Sequence, residues 1–369
     1  MSLIVAKLGS STLVDQAGNL RERVMAARAA DFARLRRDGH RVVVVSSGAI
    51  ALGFGRLGMN DRPTALPDLQ AASAVGQGSL IQRYERAFAE HGVIPAQVLL
   101  TSADLERRDA YVNARNTLHR LLSLGTVPVV NENDTTSVDE LAFGDNDVLA
   151  AQVAILLGAD WLVLLTDREG LYGPGVDGPE LIGQVPAEVS PDDVPLADMG
   201  GSGLGRGGVA SKIAAAGMAT RAGVTAAVAS GRDDGIVGRI VAGEAVGTRF
   251  APRRTGDSAF KLWLRYAKPS MGSVRVDDGA ARALRDRGTS LLPVGVVGCD
   301  GGFSAGDAVE ITDAGGGLTL GKGIVQLSAD ELRQVRGLKT DDVRRRLPGA
   351  AAAVVHRDQL VLFADGPAP

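Results

Sequence analysis

From position 3 to about 230 the chain alternates short apolar runs, many of them β-branched, with longer stretches of helical period. The apolar runs cover 3–8, 42–45, 98–100, 127–130, 161–165 and 226–229, and the helical stretches between them cover 21–38, 65–89, 109–123, 145–157 and 210–222. Strands joined through helices predict a mainly parallel sheet with helices on both faces, an α/β sandwich of three layers. Over 247–273 the alternation gives way to Pro252, Arg253-Arg254 and an irregular polar tract, which predicts a connection between domains. Beyond it, shorter runs at 273–276, 291–297, 308–311, 321–325 and 351–355, with Gly and Asp between them, predict a small C-terminal β-barrel with one or two helices. The expected organisation is a first domain over 1–250, a linker over 251–271 and a second domain over 272–369.

Composition narrows the class. With 369 residues the chain can build two or three cores, and its single cysteine, Cys299, excludes an internal disulfide framework. Met1-Ser2-Leu3-Ile4-Val5 has no basic segment ahead of a long apolar core, and no run approaches about 18 apolar residues, so the sequence predicts a cytoplasmic protein with no membrane span. A net charge of -3 provides no general field for nucleic acid.

Chemistry concentrates where the predicted strands end. The run Val127-Pro128-Val129-Val130 opens onto Asn131-Glu132-Asn133-Asp134 and then Gly144-Asp145-Asn146-Asp147. Polar residues at the carboxyl ends of parallel strands line the crevice where open α/β sheets bind ligands. Turn formation and helix capping explain one such Asp or Asn, but not the whole set. Lys7 lies on the first strand ahead of Gly9 and Ser10, a placement that suits either a phosphate contact or an edge-strand lysine in water. Ser47 ends the second strand before Gly48; an N-cap accounts for one serine there, and anion binding at a helix start is the alternative. Thr166-Asp167 ends the fifth, as a nucleotide contact or a turn.

The loop over 200–208 is dense in glycine and leads to Lys212 on a helical stretch. It is not a P-loop, since G-x-x-x-x-G-K-[ST] is absent. The G-x-G-x-x-G strings at Gly203-Gly205-Gly208 and Gly53-Gly55-Gly58 do not directly follow a strand, which argues against a nicotinamide site. Four scattered histidines and one cysteine disfavour zinc and Cys-His chemistry.

Taken in order and spacing, Lys7-Leu8-Gly9-Ser10, Ser46-Ser47-Gly48-Ala49-Ile50, Asn131 to Asp134, Gly144 to Asp147, Leu165-Thr166-Asp167 and Gly207-Gly208 to Lys212 resemble the amino-acid kinase family, nearest to its glutamate-phosphorylating branch. Ala74-Val75-Gly76-Gln77 and Asn113-Ala114-Arg115-Asn116-Thr117 agree, and the segment around Val276 to Ala280 and Ser290 to Pro293 looks like a PUA domain. The resemblance implies transfer of the γ-phosphoryl of ATP, with Mg²⁺, to the side-chain carboxylate of L-glutamate, the first step toward proline. It assigns Lys7 and Lys212 to the phosphoryl oxygens, Asp147 to holding both ammonium groups, and Asp145 to assisting. It gives Ser47, Asp134 and Asn146 to glutamate, with Asp134 on the α-ammonium, and Lys7, Gly9, Ser10, Thr166, Asp167, Gly207, Gly208 and Lys212 to the nucleotide. No protein metal ligand is implied, because magnesium would ride on phosphate oxygens and water.

The resemblance also implies inhibition by L-proline and a homo-oligomer, dimer or tetramer. Arg206 departs from the family, whose loop carries Thr there. Kinases of acetylglutamate, aspartate, carbamate or UMP are the competing enzymes. The competing class is RNA binding by the PUA-like segment through Arg333, Arg336, Lys339 and Arg344 to Arg346, a run that also reads as a solvated helix face.

Overall fold

The computed structural model describes residues 1–15, 19–59, 61–136, 146–176, 178–197, 208–253 and 257–363. The chain divides into two compact units, Met1–Thr255 and Gly256–Pro369.

In the first unit the strands are β1 (Leu3–Leu8), β2 (Arg41–Ser46), β3 (Pro95–Leu100), β4 (Val127–Glu132), β5 (Trp161–Thr166), β6 (Tyr172–Pro174), β7 (Pro179–Leu181), β8 (Gln184–Val185), β9 (Thr225–Ser230) and β10 (Thr248–Phe250). Eight of them form one sheet in the order β3-β4-β2-β1-β5-β9-β10-β8, with β6 and β7 paired separately. All neighbours in the large sheet run parallel except β9 and β10. The chain passes from β1 to β2 on one side and later from β1's other side through β5 to β9, so β1 stands at the switch point.

Side chains alternate between the faces of a strand. Ile4, Ala6 and Leu8 of β1 join Val42, Val44, Val163 and Leu165 in a core closed by Met25, Phe32, Leu80 and Phe88, from the helices Glu22–Arg37 and Leu66–Ala89. The other parity, Val5 and Lys7, faces the layer that holds helices Asn146–Leu157 and Val209–Arg221. A strand buried on both faces has to be apolar throughout, and Lys7 interrupts that rule at 4% exposure.

The second unit holds β11 (Ser270–Val276), β12 (Val296–Gly301), β13 (Ala308–Thr312), β14 (Thr319–Val325) and β15 (Val355–Leu362), ordered β12-β11-β13-β14-β15. Its own core gathers Val274, Leu284, Val309, Ile311, Leu332 and Val355.

Three expectations shift. The tract read as irregular contains β10 and the helix Ala259–Tyr266, capped by Ser258 and burying Trp263 and Leu264; the adjoining Pro252 and arginines hide this short amphipathic pattern. The run 291–297 begins as a tight 3-10 turn, Pro293–Gly295, because proline offers no N–H to a ladder, and β12 starts only at Val296. The run 351–355 yields a strand only from its last residue, since pairing with β14 begins at Val355. No helix among the described residues is long and apolar enough to cross a membrane.

Candidate functional site

A cleft with about 720 Å³ of space, open solvent at its mouth included, opens at the carboxyl ends of β1, β2, β4 and β5. Its walls carry Lys7, Gly9, Ser10, Ser47, Asn131, Asp134, Asn146, Thr166 and Lys212. Residues far apart in the chain thus meet because parallel strands all end on one rim.

Between two of the lining residues Asp147, fully buried in the first turn of helix Asn146–Leu157, receives Lys7 Nζ on Oδ1 at 2.6 Å and Lys212 Nζ on Oδ2 at 3.1 Å. Lys212 comes from the first turns of helix Val209–Arg221 and is 7% exposed. Ser211 Oγ donates a further bond to Asp147 Oδ2 at 2.8 Å. Burial by itself would raise this carboxyl; the two ammonium groups and the hydroxyl overcome it and hold Asp147 below the ordinary aspartate value. Two buried ammonium groups meet on one carboxylate at the cleft wall, an arrangement that suits an anionic ligand.

Beside it lies an amide network. Asn146 Nδ2 lies within hydrogen-bond distance of Ser46 O at 2.9 Å, Ser47 Oγ at 2.9 Å and Asn131 Oδ1 at 3.0 Å, while Asn131 Nδ2 donates to Gln77 Oε1 at 2.7 Å. Asn146 Oδ1 is buried and has no hydrogen-bond partner among the described residues. Ser47 makes no side-chain cap for helix Ala49–Phe54; the cap position is Gly48, whose φ of 107° explains the glycine, and the Ser47 hydroxyl is left to face Asn146. Asp134, in the turn after β4, accepts from Ser73 Oγ at 2.5 Å. Burial pushes its carboxyl above the ordinary value, and the Ser73 bond and the Arg62 charge pull against that.

On the opposite side Thr166 ends β5 and its hydroxyl donates to Asp167 at 3.1 Å. Gly9 and Ser10 follow β1 into the cleft wall, and a Cβ on Gly9 would stand 3.5 Å from Lys7 Nζ, so a longer side chain there would cover the ammonium. Gly208 is the N-cap residue of helix Val209–Arg221, its carbonyl within 3.1 Å of the Ser211 hydroxyl. Asp145, Gly207 and Arg206 lie outside the described residues. The structure therefore gathers Lys7, Lys212 and Asp147 into one cluster, with Ser47, Asn146 and Asp134 at one end of the same cleft and Thr166 at the rim beyond.

Sequence reasoning passed over Ser73, Gln77, Asn131, Ser211 and Arg62 as individual site residues. Of these, Gln77 and Asn131 stood inside quoted motifs and Ser211 beside Lys212, but Ser73 sits on a helix whose position over the cleft no local pattern reveals. The Gly53-Gly55-Gly58 string also resolves: a Cβ on Gly53 would collide with the backbone of Ala72 and Gly76, so Gly53 serves helix packing, Gly58 takes a left-handed φ of 74°, and Gly55 faces open space.

Residues 2–230 match the amino acid kinase family, and residues 272–347 match the PUA domain. The chain belongs to the amino acid kinase family. This amino acid kinase is 46% identical over 368 residues to a glutamate 5-kinase of Gloeobacter violaceus, covering 98% of this chain and 99% of that one. It is 44% identical to glutamate 5-kinases of Synechococcus sp. (98% of each chain) and of Thioalkalivibrio sulfidiphilus (97% and 96%).

Proposed function

We propose that this protein transfers the γ-phosphoryl group of ATP to the side-chain carboxylate of L-glutamate, giving L-glutamate 5-phosphate, the first step toward proline. The observation that carries this reading is the convergence of Lys7 and Lys212 on the two oxygens of Asp147, beside a cleft that also offers an aspartate and an amide oxygen with no partner among the described residues.

In the proposed reaction a carboxylate oxygen of glutamate forms a bond to the γ-phosphorus while the bond to the β,γ-bridging oxygen breaks, and ADP leaves with that electron pair. The nucleophile is already ionised at neutral pH, so no general base is needed; alignment and charge stabilisation carry the rate. Lys7 and Lys212 contact the phosphoryl oxygens, and Asp147 holds both ammonium groups in place, with Asp145 assisting. Asp134 takes the substrate's α-ammonium, Asn146 Oδ1 accepts a second N–H from it, and Ser47 completes the grip. Gly9, Ser10 and Thr166 on the cleft wall bind the nucleotide, and the family resemblance assigns Asp167, Gly207 and Gly208 to it as well.

Mg²⁺ fits this site as a companion of the ATP phosphates. Both Asp147 oxygens are engaged by lysines, and no group of three His, Cys, Asp or Glu able to hold a metal occurs among the described residues.

The test is incubation of purified protein with Mg-ATP, glutamate and hydroxylamine. Hydroxamate above a no-glutamate control is expected, and its absence overturns the reading. A panel of acetylglutamate, aspartate, carbamate and UMP separates the competing kinases. The same reading carries competitive inhibition by L-proline, a homo-oligomer (dimer or tetramer) and a cytoplasmic location. RNA binding gains little support: Arg333, Arg344 and Arg345 each pair with an aspartate three residues earlier on their own helix.

A further inference from the structure

We infer that Ser73 is a positioning residue for amine recognition: through its bond to Asp134 it sets how tightly the cleft holds the α-ammonium of its substrate. This rests on the glutamate reading above.

Asp134 is only 7% exposed, and a carboxylate taken out of water needs donors. Ser73, itself 3% exposed, supplies one at 2.5 Å, the short length of a hydroxyl bonded to an ionised oxygen. The bond engages Oδ2, and so fixes the plane in which Oδ1 is presented. Ser73 lies on helix Leu66–Ala89, and four residues later on the same helix face Gln77 accepts from Asn131. One helix therefore braces both polar residues at the substrate end. Its position is rigid, because Gly76 and Gly53 let this helix meet helix Ala49–Phe54 backbone to backbone. A serine present only to fill the core could be an alanine, but alanine leaves the buried carboxylate without this donor.

Among charged groups, Arg62 faces Asp134 from the segment before that helix, and Lys7 and Lys212 line the same cleft. Of the described residues that line the cleft beside it, Asn131 and Asn146 are neutral. Removing the hydroxyl takes away one influence that keeps the carboxyl ionised, so Asp134 would protonate at higher pH and lose its hold on the ammonium sooner as pH falls.

The experiment compares wild type with Ser73→Ala and the near-isosteric, weakly donating Ser73→Cys across pH 5–9 in the hydroxamate assay. It adds glutarate, which lacks the amine, as a competitive inhibitor. For Ser73→Ala we expect glutamate KM to rise about tenfold, with kcat and the KM for ATP unchanged. The acid limb of kcat/KM for glutamate should move to higher pH, the Ki of glutarate should stay put, and Ser73→Cys should fall between. An unmoved acid limb, an equal loss on glutamate and glutarate, or a fall in kcat at constant KM overturns the role of Ser73 alone. A wild type that never turns over glutamate overturns the function proposed above and this inference with it.

Discussion

Asp147 answers to two ammonium groups and a hydroxyl at once, and its carboxylate decides where both lysines stand. Asp147→Asn keeps the volume and removes the charge; turnover should fall about 10²–10³-fold in the hydroxamate assay, as when a preorganised electrostatic group is lost. Stability should also drop, because two buried cations lose their counterion, and a urea titration would read that as a lower midpoint. Near-normal turnover would remove Asp147 from the machinery. Ser211→Ala takes a hydroxyl donor from the carboxylate and is expected to lower kcat about tenfold, with Ser211→Thr restoring it. The pH dependence follows from opposite shifts at two aspartates. Asp147 is held below its ordinary 3.8, so its share of stability is whole above that value and is lost only as pH falls through the depressed one. Asp134 is held above its ordinary 3.8, so it titrates first as a solution is acidified. The acid limb of kcat/KM for glutamate should therefore lie above that of kcat, and coincident limbs would contradict the assignment.

At the scale of elements, the crossing of helices Ala49–Phe54 and Leu66–Ala89 is the least forgiving contact beside the site. A Cβ on Gly53 or Gly76 meets the other helix's carbonyls, which cannot swing away as a side-chain tip could. Gly76→Ala should therefore cost about 1–3 kcal/mol or more in a urea melt, a typical penalty for overpacking. Because the displaced helix carries Ser73 and Gln77, the KM for glutamate should rise while the KM for ATP holds. A variant with unchanged stability would show that the helices can part freely. The same logic explains β1: alternation sends Ile4, Ala6 and Leu8 to one core and brings Lys7 to the face of Asp147 and Lys212. A one-residue slip in register would bury the ammonium in the apolar layer.

At the scale of the molecule, each unit has its own sheet and core. A ligand that binds only the native first unit stabilises it by mass action, about 2.7 kcal/mol at a hundred times Kd. Calorimetry should show ATP raising the transition of residues 1–255 alone, and a Lys212→Ala variant should lose most of that shift. Much of this architecture was legible in the chain, because strand and helix periods are local: β1 ends where the apolar run ends, and helix Leu66–Ala89 begins within a residue of its predicted start. Strand boundaries in the second unit were less so, since Pro293 and the alanines at 351–353 break patterns that only pairing with β11 and with β14, respectively, completes. Lys7, Asp147 and Lys212 could each be picked out as polar residues at strand or helix ends, yet no period in the sequence links position 7 to position 212. Their meeting on one carboxylate, and the reach of Ser73 to Asp134 from a helix, follow from strand order and helix packing, which are set by contacts between distant segments and so exist only in the folded chain.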